Sequence, residues 1–270
     1  MGLQQRRGLK RSLLGPSSLA LAIALAAGLG GCANKHPEVT AAINPSSVPL
    51  SESDWRQRVE TLAAQYRSKP NDPTIAIAYA QALRATGQRA QAAAVLQQAS
   101  IRNPKNPQVL GAYGRSLADI GQFAQALDVL GKAHTPDKPD WRVLNAQGAV
   151  LDQMGNNVEA RRYYETALKI APEEPAILSN LGLSYVLSKN LTRAEATLRR
   201  ANADQRAEPK VRQNLALVLA LQGKFDEAER ITVADLPPDQ ARSNVAYLRE
   251  MIRDHGRRKT PAGPKVAVSG

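Results

Sequence analysis

The sequence predicts an all-α fold, a solenoid of about five stacked helical hairpins with a capping helix at each end. Three observations lead there. A turn mark recurs every 34 residues, at Gly87, Gly121, Gly155 and Gly223, with Lys189 and Asn190 in the fourth slot. Small residues keep fixed offsets around it: Ala80, Gly114, Gly148, Gly182 and Ala216 seven before, and Ala92, Ala126, Ala160, Ala194 and Ala228 five after. Large apolar residues hold two further offsets, with Leu83, Leu117, Leu151, Tyr185 and Leu219 four before the mark and Leu96, Leu130, Tyr164 and Leu198 nine after. Thr232 breaks this last row and makes the fifth unit a worn one. Composition agrees, because only 4% of residues are aromatic in a chain that is 43% hydrophobic. Alanine and leucine carry the apolar content, which favours close-packed helices over sheets rich in aromatic and β-branched residues. A single hairpin cannot bury its apolar stripe alone, so neighbours stack.

In chain order, residues 1–31 read as an export leader. Arg6, Arg7, Lys10 and Arg11 form a basic segment, followed by an apolar run over 19–29 with no charge. That run is short for a bilayer-crossing helix, which needs about 20 apolar residues. It ends in Leu29-Gly30-Gly31-Cys32, which resembles the lipobox of bacterial lipoproteins. Cys32 is the single cysteine and the expected acceptor of the lipid. Two or three acyl chains give stable membrane attachment. Residues 32–50, with Pro37, Pro45 and Pro49 among small polar residues, read as a tether. Residues 51–70 hold a capping helix started by Ser51 or Ser53, with Trp55, Val59, Leu62 and Tyr66 on one side.

The five hairpins fill 71–237. Pro73, Pro107, Pro175 and Pro209 sit at their edges, where a missing amide costs little at a helix start. Helix pairs with this period and these small residues resemble the tetratricopeptide repeat, which implies a right-handed superhelical solenoid. A C-terminal capping helix is expected over 238–255, with Val245, Leu248 and Ile252 packing inward. The basic stretch 256–270 is expected to be disordered.

Net charge is +12, and removing the four leader cations leaves +8 on residues 32–270. A basic surface suits anionic headgroups or an acidic protein. No zinc-finger spacing or RNA-binding signature points to nucleic acid. Nor is there a phosphate loop, a His-Glu-x-x-His or a Gly-x-Ser-x-Gly motif. His36, His134 and His255 are too scattered for a site. The expectation is a binding protein, with no enzymatic activity, metal, cofactor or small-molecule substrate.

Binding is expected in the groove lined by the first helices. Asn180 and Asn214 are equivalent places in adjacent units, and Arg142 and Lys210 are equivalent four residues earlier. Amides can hydrogen-bond a peptide backbone and cations can steer an acidic group. Ala146 interrupts the asparagine row. The other reading is that both asparagines hold inter-repeat hydrogen bonds and that Arg142 is solvated.

The runs Leu144-Asn145-Ala146-Gln147-Gly148-Ala149-Val150-Leu151, Leu178-Ser179-Asn180-Leu181-Gly182-Leu183-Ser184-Tyr185 and Val211-Arg212-Gln213-Asn214-Leu215-Ala216 resemble the TadD family, as does Lys224-Phe225-Asp226-Glu227-Ala228. This family is the repeat lipoprotein of the tight-adherence (Flp-type) pilus assembly system. The resemblance implies a lipid-anchored protein on the periplasmic face of the outer membrane that assists the pilus secretion machinery, in the manner of a pilotin for its secretin or a neighbouring lipoprotein. Ala33 after the cysteine agrees with outer-membrane sorting. A scaffold for outer-membrane protein insertion or cell-wall machinery, and a chaperone of secreted subunits, would share the same leader and repeats.

Overall fold

A computed structural model describes residues 51–259. The leader, Cys32, the tether and the chain beyond 259 lie outside the described residues. Twelve helices follow one another in the described segment: α1 Glu52–Ser68, α2 Pro73–Ala85, α3 Arg89–Arg102, α4 Pro107–Asp119, α5 Phe123–Gly131 and α6 Trp141–Gln153, then α7 Asn157–Ile170, α8 Pro175–Leu187, α9 Leu191–Ala203, α10 Pro209–Leu221, α11 Phe225–Thr232 and α12 Pro238–Lys259. Each pair from α2/α3 to α10/α11 is one hairpin, and the first helix of each unit also touches the first helix of the next. The fold is an all-α solenoid of paired helices.

Each hairpin turns by the same hydrogen bonds. The residue after the mark donates its amide to the carbonyl four residues before the mark, as in Gln88 to Leu83 (2.8 Å), Gln122 to Leu117 (2.9 Å) and Asn156 to Leu151 (2.9 Å). The mark itself donates three residues back, as in Gly155 to Asp152 at 3.0 Å. This is the Schellman end of a helix, and it needs a left-handed residue at the mark. The four glycines have φ between 78° and 84°, and Lys189 takes φ 59° in the fourth turn. Nothing lies within 4 Å of a Cβ added at Gly87, Gly121, Gly155 or Gly223. Backbone sign, and not space, therefore selects glycine there.

The small residues before the mark have the opposite reason. A Cβ on Gly114 would stand 2.5 Å from Leu130 Cγ, one on Gly148 2.6 Å from the Tyr164 ring, and one on Gly182 2.6 Å from Leu198. Each glycine thus receives the large residue found 16 positions later on the second helix of its own unit. In the worn unit the equivalent places hold Ala216 and Thr232, a slightly larger residue and a smaller one, both buried. The buried Thr232 hydroxyl donates to the carbonyls of Ala228 (3.1 Å) and Glu229 (2.9 Å), so its burial leaves no unpaired donor.

Units three and four are further tied by a half-buried carboxylate. Asp152 accepts from Asn157 Nδ2 (2.7 Å), Ser184 Oγ (2.8 Å) and Tyr164 OH (2.9 Å). Burial pushes the Tyr164 hydroxyl far above its usual pKa, with Asp152 adding to it. That phenol stays protonated and donates.

Pro73, Pro107, Pro175 and Pro209 each open a first helix. Asp72, Asn106 and Asp140 cap α2, α4 and α6 with side-chain oxygens, whereas Glu174 and Glu208, before α8 and α10, make no side-chain cap bond. At the N-terminal end Ser51 and Asp54 form a capping box on α1. Val59, Leu62, Ala63 and Tyr66 lean on the core, while Trp55 is half exposed beside Arg58. At the other end Ala241 and Val245 are buried, and Leu248 and Ile252 pack beside the latter. Helix α12 does not stop near Asp254 as expected but runs to Lys259. This corrects the start of the tail at 256. Arg257, Arg258 and Lys259 are good helix formers whose charge suits a helix C-terminus.

Candidate functional site

The first helices α2, α4, α6, α8 and α10 form one continuous face. Arg142 stands exposed in the first turn of α6, its guanidinium 4.4 Å from the centre of the Trp141 ring. Lys210 stands exposed in the first turn of α10. Neither makes an ion pair among the described residues. Two helix spacings separate them, roughly 20 Å at the usual 8–10 Å per packed pair, so no single small ligand meets both.

The asparagines are already engaged. Asn180 donates Nδ2 to Asn145 Oδ1 at 3.0 Å, and Asn214 donates Nδ2 to Ser179 Oγ at 2.9 Å. Both bonds join a first helix to the one before it. The geometry is the inter-repeat reading of these residues. Their carbonyl oxygens remain available on the same face.

Two features of this face escaped sequence reasoning. The first is Arg115 on α4. Its Nη1 lies over Gly111, 3.5 Å from where a Cβ would be, beside Val143 of α6. Among the described residues it has no hydrogen bond and no ion pair. Burial pushes its pKa down, repulsion from Arg84 and Arg142 acts the same way, and Asp140 and Asp119 pull against both. Asp119 is taken by Arg84 in an ion pair, and Asp140 caps α6 at the Arg142 amide (2.7 Å). Guanidinium does not deprotonate in practice, so Arg115 is a half-buried cation with no acid of its own.

The second is apolar. Leu183 and Leu217 occupy the place of Arg115 in units four and five, and Leu187 and Leu221 lie one turn further along the same faces. Leu187 is 53% exposed, and the other three are half-buried. On α12, Met251 is 34 residues after Leu217, and Tyr247 lies one turn earlier at 69% exposure. The 34-residue recurrence of leucines was the signal that could have found this stripe. Nothing in the sequence signals that Arg115 lacks a partner.

Elsewhere, a shallow depression involving Phe225, Arg230 and Arg249 sits at the last hairpin, with the Arg249 guanidinium 4.3 Å above the Phe225 ring. Among the described residues no group of three or more His, Cys, Asp or Glu could hold a metal ion. None of the described helices is long and apolar enough to cross a membrane.

Comparison with known proteins places this geometry. Tetratricopeptide-repeat family models match residues 153–213 and 211–232, and a model of subunit 3 of the anaphase-promoting complex, or cyclosome, matches 59–133. A chain of the APC/C hetero-tetramer Cut9-Hcn1 superposes with a TM-score of 0.60 at 15% identity, over 76% of this chain and 41% of that one. The present chain therefore spans less than half the length of that relative. A tetratricopeptide-repeat protein of Thermus thermophilus gives 0.59 at 22% identity, covering 66% of this chain and 98% of that one. PilW, a widely conserved type IV pilus biogenesis factor, gives 0.59 at 17% identity, covering 72% and 91%. No curated protein matches the sequence. The chain has the fold of a tetratricopeptide-repeat solenoid, a stack of paired helices.

Proposed function

We propose that the protein is a lipid-anchored periplasmic scaffold on the outer membrane that assists assembly of the tight-adherence pilus machinery, holding its secretin or an associated lipoprotein. The observation that carries this reading is the combination of Leu29-Gly30-Gly31-Cys32 behind an apolar leader with the TadD-like phrasing of α6, α8 and α10. PilW supplies a precedent for the fold in a pilus biogenesis factor. Acylated Cys32 fixes the solenoid to the membrane surface. The first-helix face then captures a segment of the partner, with Arg142, Lys210 and the free carbonyls of Asn180 and Asn214 as its polar contacts. Confinement raises the local concentration of two components that must meet, without any chemical step.

The test joins fractionation to capture. Replacing Cys32 with Ala should release the protein from membranes and cost the cell its pili while leaving the helical circular dichroism unchanged. Pull-down of the lipidated protein should bring secretin or other pilus-machine subunits. A variant still firmly membrane-bound would end the lipoprotein reading. Recovery of barrel-insertion components would replace the pilus role with a general envelope scaffold, and recovery of free pilin would replace it with a chaperone.

A further inference from the structure

The segments that lead into the five first helices lie along one edge of the stack, and their charge changes sign along it. At the 34-residue period they are 67–72, 101–106, 135–140, 169–174 and 203–208. The first holds Arg67, Lys69 and Asp72, and the second holds Arg102 and Lys105 with no acid. Each of the other three holds one cation and two carboxylates: Lys138 with Asp137 and Asp140, Lys169 with Glu173 and Glu174, and Arg206 with Asp204 and Glu208. The wider chain repeats the contrast. Residues 51–105 have eight Lys or Arg against four Asp or Glu, whereas residues 106–254 have nineteen of each. Arg67, Lys69, Arg102 and Lys105 are all exposed and make no ion pair among the described residues. The acid beside them, Asp72, is engaged as the cap of α2, accepting from the Thr74 amide at 2.8 Å. Arg102 ties the two segments together by donating to the Pro70 carbonyl (3.0 Å) and the Tyr66 hydroxyl (3.4 Å), which fixes its guanidinium without neutralising it. Next to it, in the last turn of α3, Ile101 is 66% exposed. A row of hydrated cations alone needs no partner. A large aliphatic side chain held in water among them gains from one, and anionic headgroups over acyl chains satisfy both.

We infer that this edge, at the N-terminal end of the solenoid, is a peripheral contact for anionic phospholipid headgroups, with Ile101 as its apolar centre. The inference adds to the reading above the side of the protein that meets the bilayer, and rests on that reading only for the anchor that holds the bilayer near. Chain length permits the contact. Residues 33–50 extend to at most about 60 Å, and α1 spans about 25 Å from the end of that tether to the first basic segment. Each Lys or Arg at an anionic surface strengthens binding about fivefold, so four of them hold only weakly until an anchor confines them there. An acidic protein would also satisfy the cations. The exposed Ile101 and the place beside the tethered end select the bilayer.

The experiment uses purified, unacylated protein, residues 32–270 in full, with vesicles of phosphatidylethanolamine and phosphatidylglycerol, and with vesicles of phosphatidylcholine alone. Wild type should sediment with the anionic vesicles and not with the neutral ones, and high salt should strip it off. Arg67→Gln, Lys69→Gln and Lys105→Gln combined should weaken binding by about tenfold or more. Ile101→Ser should weaken it about threefold and keep the preference for anionic vesicles. These four side chains are exposed, so the fold tolerates their loss. Arg257→Gln, Arg258→Gln and Lys259→Gln combined, the same change in charge at the other end of the chain, should bind as wild type does. No binding to anionic vesicles, equal binding to neutral ones, equal losses in the two triple variants, or a loss in the second alone would overturn the proposal. So would capture of polyglutamate by a wild type that ignores vesicles. Salt separates this contact from the anchor, since acyl chains resist a high-salt wash. If Cys32→Ala protein stays on membranes through that wash, the lipoprotein reading falls alone. If unacylated protein ignores anionic vesicles while Cys32→Ala still releases the protein from membranes, this inference falls alone.

Discussion

The first three hairpins and the last two follow one 34-residue plan but are stabilised differently. In the first three, Asp72, Asn106 and Asp140 cap the leading helices and glycine closes every turn. In the last two the caps are glutamates without cap bonds, and one turn holds a left-handed lysine. What replaces them is charge. Glu173 pairs with Arg200, Glu174 with Arg206, and Asp235 with Arg212, while Glu195 takes both Lys224 and Arg199 and Arg199 reaches on to Glu227. Several of these bonds cross from one unit to the next. The same end carries the exposed Leu187 and the half-buried Leu183, Leu217 and Leu221. A stack can therefore leave large apolar side chains in contact with water at one end while its outer helices are laced by ions. The difference teaches that the repeat dictates geometry and leaves the source of stability open.

The largest expected effect comes from the small–large pairs, and it separates the ends. Gly148→Val drives a branched side chain into Tyr164, whose hydroxyl holds the Asp152 junction between units three and four. Overpacking of this kind costs about 3 kcal/mol. Ala216→Val, at the equivalent place in the unit that holds the smaller Thr232, should cost about 1 kcal/mol. Urea unfolding of both variants measures the contrast. Equal losses would mean that the worn unit is packed as tightly as the others.

The next effect is on charge. Lysine 224 and Arg199, both within 2.7 Å, hold the Glu195 carboxyl down to about 2, against burial that acts the other way. Because its folded value lies below the ordinary one, its contribution is complete above pH 4.5 and fades as pH falls from there toward 2. With Arg199 and Lys224 both 43% exposed, solvent screening leaves on the order of 2 kcal/mol. Hydrogen-exchange protection of α9–α11 should therefore fall before that of α2–α5 between pH 4.5 and 3. Glu195→Gln should remove that difference. Uniform loss of protection would refute the division into two halves.

Much of this was legible in the residues. The period, the turns and the inward rows were open to reading because each obeys a local rule: a positive φ, a missing Cβ, a fixed offset. Thr232 stood out as worn for the same reason. The groove was harder. The 34-residue spacing puts Asn180 and Asn214 at equivalent places of adjacent first helices, but whether an amide bonds a ligand or Asn145 and Ser179 depends on the approach of two helices, which no offset reports. Arg115 was missed because having no partner is a property of its surroundings. The extension of α12 through Gly256 was missed because a glycine and a basic run signal an end in isolation, and α12 enters that stretch already anchored by Val245, Leu248 and Ile252.

The smallest effect is also the most local. In turn four, Lys189 occupies the left-handed position at φ 59°, where a side chain costs about 1 kcal/mol. The next residue offsets part of this. Asn190 caps α9 by accepting from the Arg193 amide at 3.2 Å, while Gln88, Gln122, Asn156 and Lys224 make no cap bond at the same place. Lys189→Gly should therefore stabilise the protein by up to about 0.5 kcal/mol, the relief of strain exceeding the entropy that glycine adds to the unfolded chain. Asn190→Ala should cost about 1 kcal/mol, and Asn156→Ala, at the equivalent place in turn three, should cost almost nothing. Thermal unfolding of the three variants decides it. If Lys189→Gly destabilises, the lysine side chain supplies a contact that outweighs its backbone strain, and the fourth turn is then held by that contact instead of by its cap.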